Sequence, residues 1–335
     1  LGIGMDPSEF FTASRILIVA GKGGVGKTTV AATLGVAASR LGIDTLLVEI
    51  EGKRGLASLF DHADLVYDDT ELVAPDPATG QARLRARTIR AEAALVDYLA
   101  DHKLGRFGKT LTRMQVLDTL ATSTPGLKDL IVLGKIKQLE QTNDAELIIV
   151  DAPASGHAIS FLRAASGLQG TVDTGPIRHQ ADEVVALLTD PARAQVLLVT
   201  LPEETPVNEL IETAYALEED VGIRLGPAIV NAVHEPLADV APPSDDDAGL
   251  RHDAGLDDDA GLDDELRHDA GLATRYWQRR AEAEQEQIDR LAQELPLEQI
   301  RLRRKLAIQL GADDLAGFAD AVIDQVGALR FIEVA

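Results

Sequence analysis

The 335-residue chain carries 55 acidic against 32 basic side chains, a formal charge of −23, with 45% hydrophobic residues and no cysteine. Such acidity repels phosphate backbones and anionic lipid, so we expect no nucleic-acid partner, and no run of about 18 uncharged apolar residues offers a transmembrane segment. The absence of cysteine excludes disulfides, thiolate zinc and iron–sulfur clusters. Together with the absence of a basic leader before the first apolar run, it leads us to expect a cytoplasmic protein.

In chain order, residues 1–14 read as an N-terminal tail. Residues 16–20 then form a short apolar run that reads as a buried parallel strand. A glycine-rich loop follows, then a helix over 28–41, closed by Gly42. Residues 44–50 predict a second strand, and 83–89, alternating Arg with Leu and Ala, an outer strand. Residues 91–141 and about 157–190 are mostly helical and read as a helical subdomain, with breaks near Pro125 and Pro176. Strands are expected at 147–151, 196–200 and 228–231, with a helix over 207–219 between the last two. This alternation predicts an α/β fold, a mostly parallel doubly wound sheet covered on both faces.

Residues 241–272 break the pattern. Asp-Ala-Gly-Leu recurs four times, and between Ser244 and Leu272 ten Asp and one Glu face two Arg. A repeat this acidic and free of aromatics cannot bury a core and reads as a disordered, low-complexity insert. Its order of acids does not make an EF-hand loop. Charged and apolar helices are expected over 274–295 and 312–329. The basic run Arg301, Arg303, Arg304 and Lys305 is expected to follow a last strand, as a solvated face, a nucleotide edge or a contact for an acidic partner.

Gly21-Lys22-Gly23-Gly24-Val25-Gly26-Lys27-Thr28 has the spacing G-x-x-x-x-G-K-[ST], follows a strand and opens a helix. This is the context of a P-loop. Glycines let backbone N–H groups approach phosphate, and the helix N-terminus adds partial positive charge. Lys27 is placed for the β- and γ-phosphates of ATP, and the Thr28 hydroxyl for Mg²⁺. Asp151 ends an apolar strand. Alone it could cap the next helix; beside the loop it reads as the carboxylate that holds Mg²⁺ through water. Glu51 follows the second strand and is placed to contact an attacking water, or else is a solvated loop acid. Gly156 can bring an N–H to the γ-phosphate.

The early Lys22 makes the loop similar to those of the signature-lysine P-loop ATPases. Several segments resemble the arsenical-pump and tail-anchored-protein-targeting ATPase family, closest to its actinobacterial anion-transporting branch. They are the loop through Thr29, Asp151-Ala-Pro-Ala-Ser-Gly-His157, Pro202-Glu-Glu-Thr-Pro-Val-Asn-Glu209 and Ile229-Val-Asn231. The resemblance implies a dimeric, ATP-hydrolysing switch in which Lys22 crosses to the partner's nucleotide and Asn231 contacts adenine. The dimer would be a homodimer, or a heterodimer with a paralogous ATPase, acting on an unidentified client or membrane component. Three departures stand out. Glu51-Gly52-Lys53-Arg54 replaces the family's D-P-A-H. Cysteines for arsenite or an interface zinc are missing. Only Met5 and Met114 could contribute to a methionine-lined client groove. The first departure keeps open a weakly hydrolysing subunit that pairs with an active paralogue.

Overall fold

The computed structural model describes residues 5–50, 55–101, 126–153, 157–235 and 260–329. Eight strands form one sheet: β1 Ile16–Gly21, β2 Thr45–Ile50, β3 Thr70–Val73, β4 Leu84–Ile89, β5 Leu147–Asp151, β6 Ala194–Thr200, β7 Ala228–Val233 and β8 Gln299–Arg303. Their order is β3-β4-β2-β5-β1-β6-β7-β8, parallel throughout except for β3 against β4. The chain leaves β1 toward β2 and β4, returns to insert β5, then lays β6 to β8 on the other side. The carboxyl end of β1 therefore lies where the direction of winding reverses, the usual ligand crevice of such sheets.

Alternation along β1 divides the core. Ile16, Ile18 and Ala20 face one hydrophobic layer, and Leu17 and Val19 face the other. The second layer is covered by α1 Pro7–Thr12, α2 Lys27–Arg40, α3 Gly55–Leu59 and, much later in the chain, by α10 Ala312–Ala328. The first is covered by α5 Leu127–Thr142, α6 His157–Thr171, α7 Pro176–Thr189, α8 Glu204–Asp220 and the C-terminal part of α9 Ala260–Glu294, with α4 Ala91–Asp101 packed against α5. The helices of 91–141 and 157–190 that are described thus share one continuous core with the sheet. The stretch 102–125 lies outside the described residues.

Four expectations need correction. Residues 5–14 are no loose tail: Asp6 caps α1, and Phe10 and Phe11, edge to face at 5.0 Å, are buried in the layer shared with α10. Residues 83–89 do not form the outer strand, because β3 pairs outside β4 and every residue of β4 is buried. Its alternating arginines misled the reading, since Arg85 and Arg87 are each only 8% exposed. Their charge is met by carboxylates: Asp44 accepts from Arg85 at 2.8 Å, Asp144 pairs with Arg85 at 2.7 Å, and Asp69 accepts from Arg85 and Arg87 at 3.1 and 3.0 Å. Burial alone would lower the Arg85 pKa, but hydrogen bonds to Asp44 and Asp144 outweigh it and hold the group above its ordinary value. Finally, Arg301 and Arg303 lie within β8 and not after it. Of the acidic insert, 241–259 lies outside the described residues, whereas 260–272 forms the first turns of α9.

Candidate nucleotide site

The loop between β1 and α2 is shaped by backbone that only glycine adopts freely. Gly26, the residue before α2, has φ +89°, and a Cβ there would lie 2.2 Å from the Asn231 amide nitrogen. Gly24 has φ +85° with no atom within 4 Å of where a Cβ would stand, so its backbone faces open space. No side chain caps α2, which leaves first-turn N–H groups for an anionic ligand at the positive end of the helix. Val25 is buried beneath the loop, and Gly23 and Thr29 flank the same turn.

Lys27 is 6% exposed, and its Nζ donates to the Lys22 carbonyl at 2.8 Å, so the side chain folds back over the loop. The ammonium of Lys22 pairs with Glu209 on α8. The two border a cleft of about 360 Å³ lined also by Gly21, Ile159, Leu210 and Thr213. On the other side of the loop, the Thr28 hydroxyl donates to Asp151 Oδ2 at 2.7 Å. Asp151 stands in register with Val19 of β1 and with Glu49 of β2. Hard oxygen donors at a helix N-terminus suit Mg²⁺, which keeps waters and phosphate oxygens among its ligands and needs no all-protein cage. No group of three His, Cys, Asp or Glu able to hold a metal occurs among the described residues.

Asn231 reaches the loop: its Nδ2 donates to the Val25 carbonyl at 2.9 Å. It sits at an irregularity of the β7–β8 register, followed by Ala232 at φ +57°. Such bulges re-aim a side chain. Three residues on, His234 is buried and joined to Glu284 of α9 at 2.6 Å, with its ring 4.6 Å from that of Trp277. Arg280 bonds both Glu284 and Glu203, tying α9 to the entry of α8. Glu51 and Gly156 lie outside the described residues, as does the side chain of His157.

Residues 14–175 match the model of the anion-transporting ATPase family. The chain is 34% identical over 224 residues to ATPase BagA of Mycobacterium tuberculosis, covering 65% of this chain and 64% of the relative. It is 26% identical over 205 residues to the arsenical pump-driving ATPase of Escherichia coli, 61% of this chain and 32% of that protein. With ATPase GET3 of Chaetomium globosum it shares 26% over 208 residues, 62% and 58% of the two chains. The chain therefore spans under two thirds of the length of these relatives. The matched family segment carries the P-loop, Thr28, Asp151 and Glu49, whereas Glu209 and Asn231 lie beyond it.

Two acidic residues beside the site were missed in the sequence. Glu49 had a usable signal, since period-two alternation from Leu47 puts it on the α2 face. Glu209 ends a segment that the resemblance picked out, but nothing local linked it to Lys22, 187 residues away. Arg303 and Lys305 pair within the chain, with Glu235 at 2.6 Å and Asp314 at 2.7 Å, so both are engaged internally.

Proposed function

We propose that this protein is an ATP-hydrolysing, Mg²⁺-dependent dimeric switch that couples nucleotide state to the binding of a client or partner, and that it works in the cytoplasm. The observation that carries the reading is the contact of the Thr28 hydroxyl with Asp151 at the mouth of a P-loop. The family match supports an ATPase. No described helix is long and apolar enough to cross a membrane.

In this reading the loop amides and Lys27 bind the β- and γ-phosphates, and Thr28 and Asp151 hold the metal and its waters. Bound Mg²⁺ neutralises charge on the phosphoryl oxygens. Glu51 orients water for attack on the γ-phosphorus; the P–O bond to the β-phosphate breaks, ADP leaves with the electron pair, and the proton of the water passes to phosphate or to Glu51. Lys22 supplies positive charge to the partner's nucleotide, as an arginine finger does. In the single chain Lys22 is held by Glu209, so closure of a dimer has to exchange that partner for phosphate. This pairing, with Glu51 in place of aspartate, also favours the second reading, a weakly hydrolysing subunit that needs an active paralogue.

Steady-state ATP turnover with Mg²⁺, measured beside Lys22→Ala and Lys27→Ala, tests both. Turnover in the parent chain, falling at least about 100-fold in each variant, is expected. ATP binding without turnover by the parent chain defeats the self-sufficient enzyme and leaves the paralogue reading.

A further inference from the structure

We propose that Glu49 is a third residue of the magnesium site, contributing its negative charge to hold the hydrated metal opposite Asp151. The proposal rests on the nucleotide-site reading above and adds a residue to it.

Three observations converge on Glu49. Strand alternation sends Leu47 and Ile149 into the layer beneath α2, and therefore sends Glu49 and Asp151, two residues further along each strand, to the same face at the carboxyl edge of the sheet. The β2–β5 register pairs the two directly, so their side chains leave neighbouring strands side by side. Each is only 2% exposed. Two carboxylates buried next to one another are costly to ionise together, and a divalent cation removes that cost.

A further observation concerns position along the chain. Glu49 Oε1 accepts the Leu56 amide at 3.3 Å, and Gly55, just before it, comes so close to α2 that a Cβ there would lie 3.3 Å from Thr28 Cγ2. The segment that Glu49 holds thus passes beside the threonine expected to ligate the metal. A carboxylate has lone pairs for more than one partner, so the Leu56 bond does not exhaust it. Mg²⁺ dehydrates reluctantly and is held through its waters by nearby acids, and such outer partners are worth about 10–100-fold in metal affinity.

The competing explanation is that Glu49 serves only to anchor α3 through Leu56. Glutamine separates the two, because its amide oxygen accepts the same hydrogen bond without the charge. The experiment is equilibrium binding of a fluorescent N-methylanthraniloyl-ADP, with Mg²⁺ and with excess EDTA, to the full chain and to Glu49→Gln, Glu49→Asp and Asp151→Asn. Using ADP gives a readout independent of turnover.

In the parent chain Mg²⁺ tightens binding. Glu49→Gln is expected to lose about tenfold of that gain while binding in EDTA as well as the parent. Glu49→Asp, which keeps the charge but shortens the reach, is expected to retain more of the gain than Gln does, and it decides the matter if the Gln variant fails to fold. Asp151→Asn is expected to lose the gain as well. Full Mg²⁺ dependence in Glu49→Gln, or an equal deficit in Glu49→Asp and Glu49→Gln, overturns the role of Glu49 while leaving the site. Full Mg²⁺ dependence in Asp151→Asn overturns the metal-site reading and this proposal with it.

Discussion

At Gly26 conformation and sterics coincide. The positive φ serves the turn into α2, and the missing Cβ leaves room for the Asn231 amide, which in turn holds the Val25 carbonyl. Gly26→Ala puts an L-residue into left-handed backbone, at about 1–2 kcal/mol, and drives a carbon into the Asn231 amide. The expected result is a lower thermal midpoint together with weaker ATP binding; an unchanged nucleotide affinity would show that the loop tolerates the displacement of Asn231. Lys22 and Glu209 illustrate a different kind of residue. Their ion pair is partly exposed and adds little stability, so its importance lies in where it holds the ammonium.

Among the elements, α1 shows how a short segment earns its place through burial. Six residues are too few for a helix to stand alone, yet Asp6 caps it at 2.9 Å and Phe11 is wholly buried against the layer shared with α10. Phe11→Ala should cost about 3–5 kcal/mol. Urea unfolding should show the midpoint lowered with an unchanged slope; a loss under about 1 kcal/mol would mean that α1 is detachable. Strand β4 makes the complementary point. Its arginines look like a solvated face until Asp44, Asp69 and Asp144 are brought to them from three separate connections, and that gathering is a property of the sheet order.

Across the molecule, contacts between layers set the response to acid. Tyr67 donates to Asp97 of α4 at 2.8 Å, and Lys135 of α5 donates to the same oxygen at 2.5 Å. Burial pushes the Tyr67 hydroxyl well up, helped by its bond to Asp97. For Asp97, burial would raise the pKa, but the hydrogen bonds from Lys135 and Tyr67 outweigh it and hold the carboxyl below its ordinary 3.8. A depressed carboxylate stabilises the fold above its unfolded value, and that contribution fades as pH falls through the folded one. Thermal midpoints followed from about pH 5 to about pH 2 should therefore drop less steeply in Asp97→Asn than in the parent chain. Parallel curves would remove Asp97 from the acid response.

Local sequence patterns specify the parallel α/β architecture, the glycine-rich loop with its flanking strand and helix, and Asp151 at a strand end. Each is written locally, in a glycine spacing or in apolar periodicity over a few residues. That residues 5–14 join the core, that β4 is interior, that Asn231 braces the loop, and that Glu49 stands beside Asp151 while Glu209 holds Lys22 follows from long-range packing. Those relations depend on which strands become neighbours. A chain that inserts β5 between β1 and β2 after building the outer strands brings together side chains that no local pattern links.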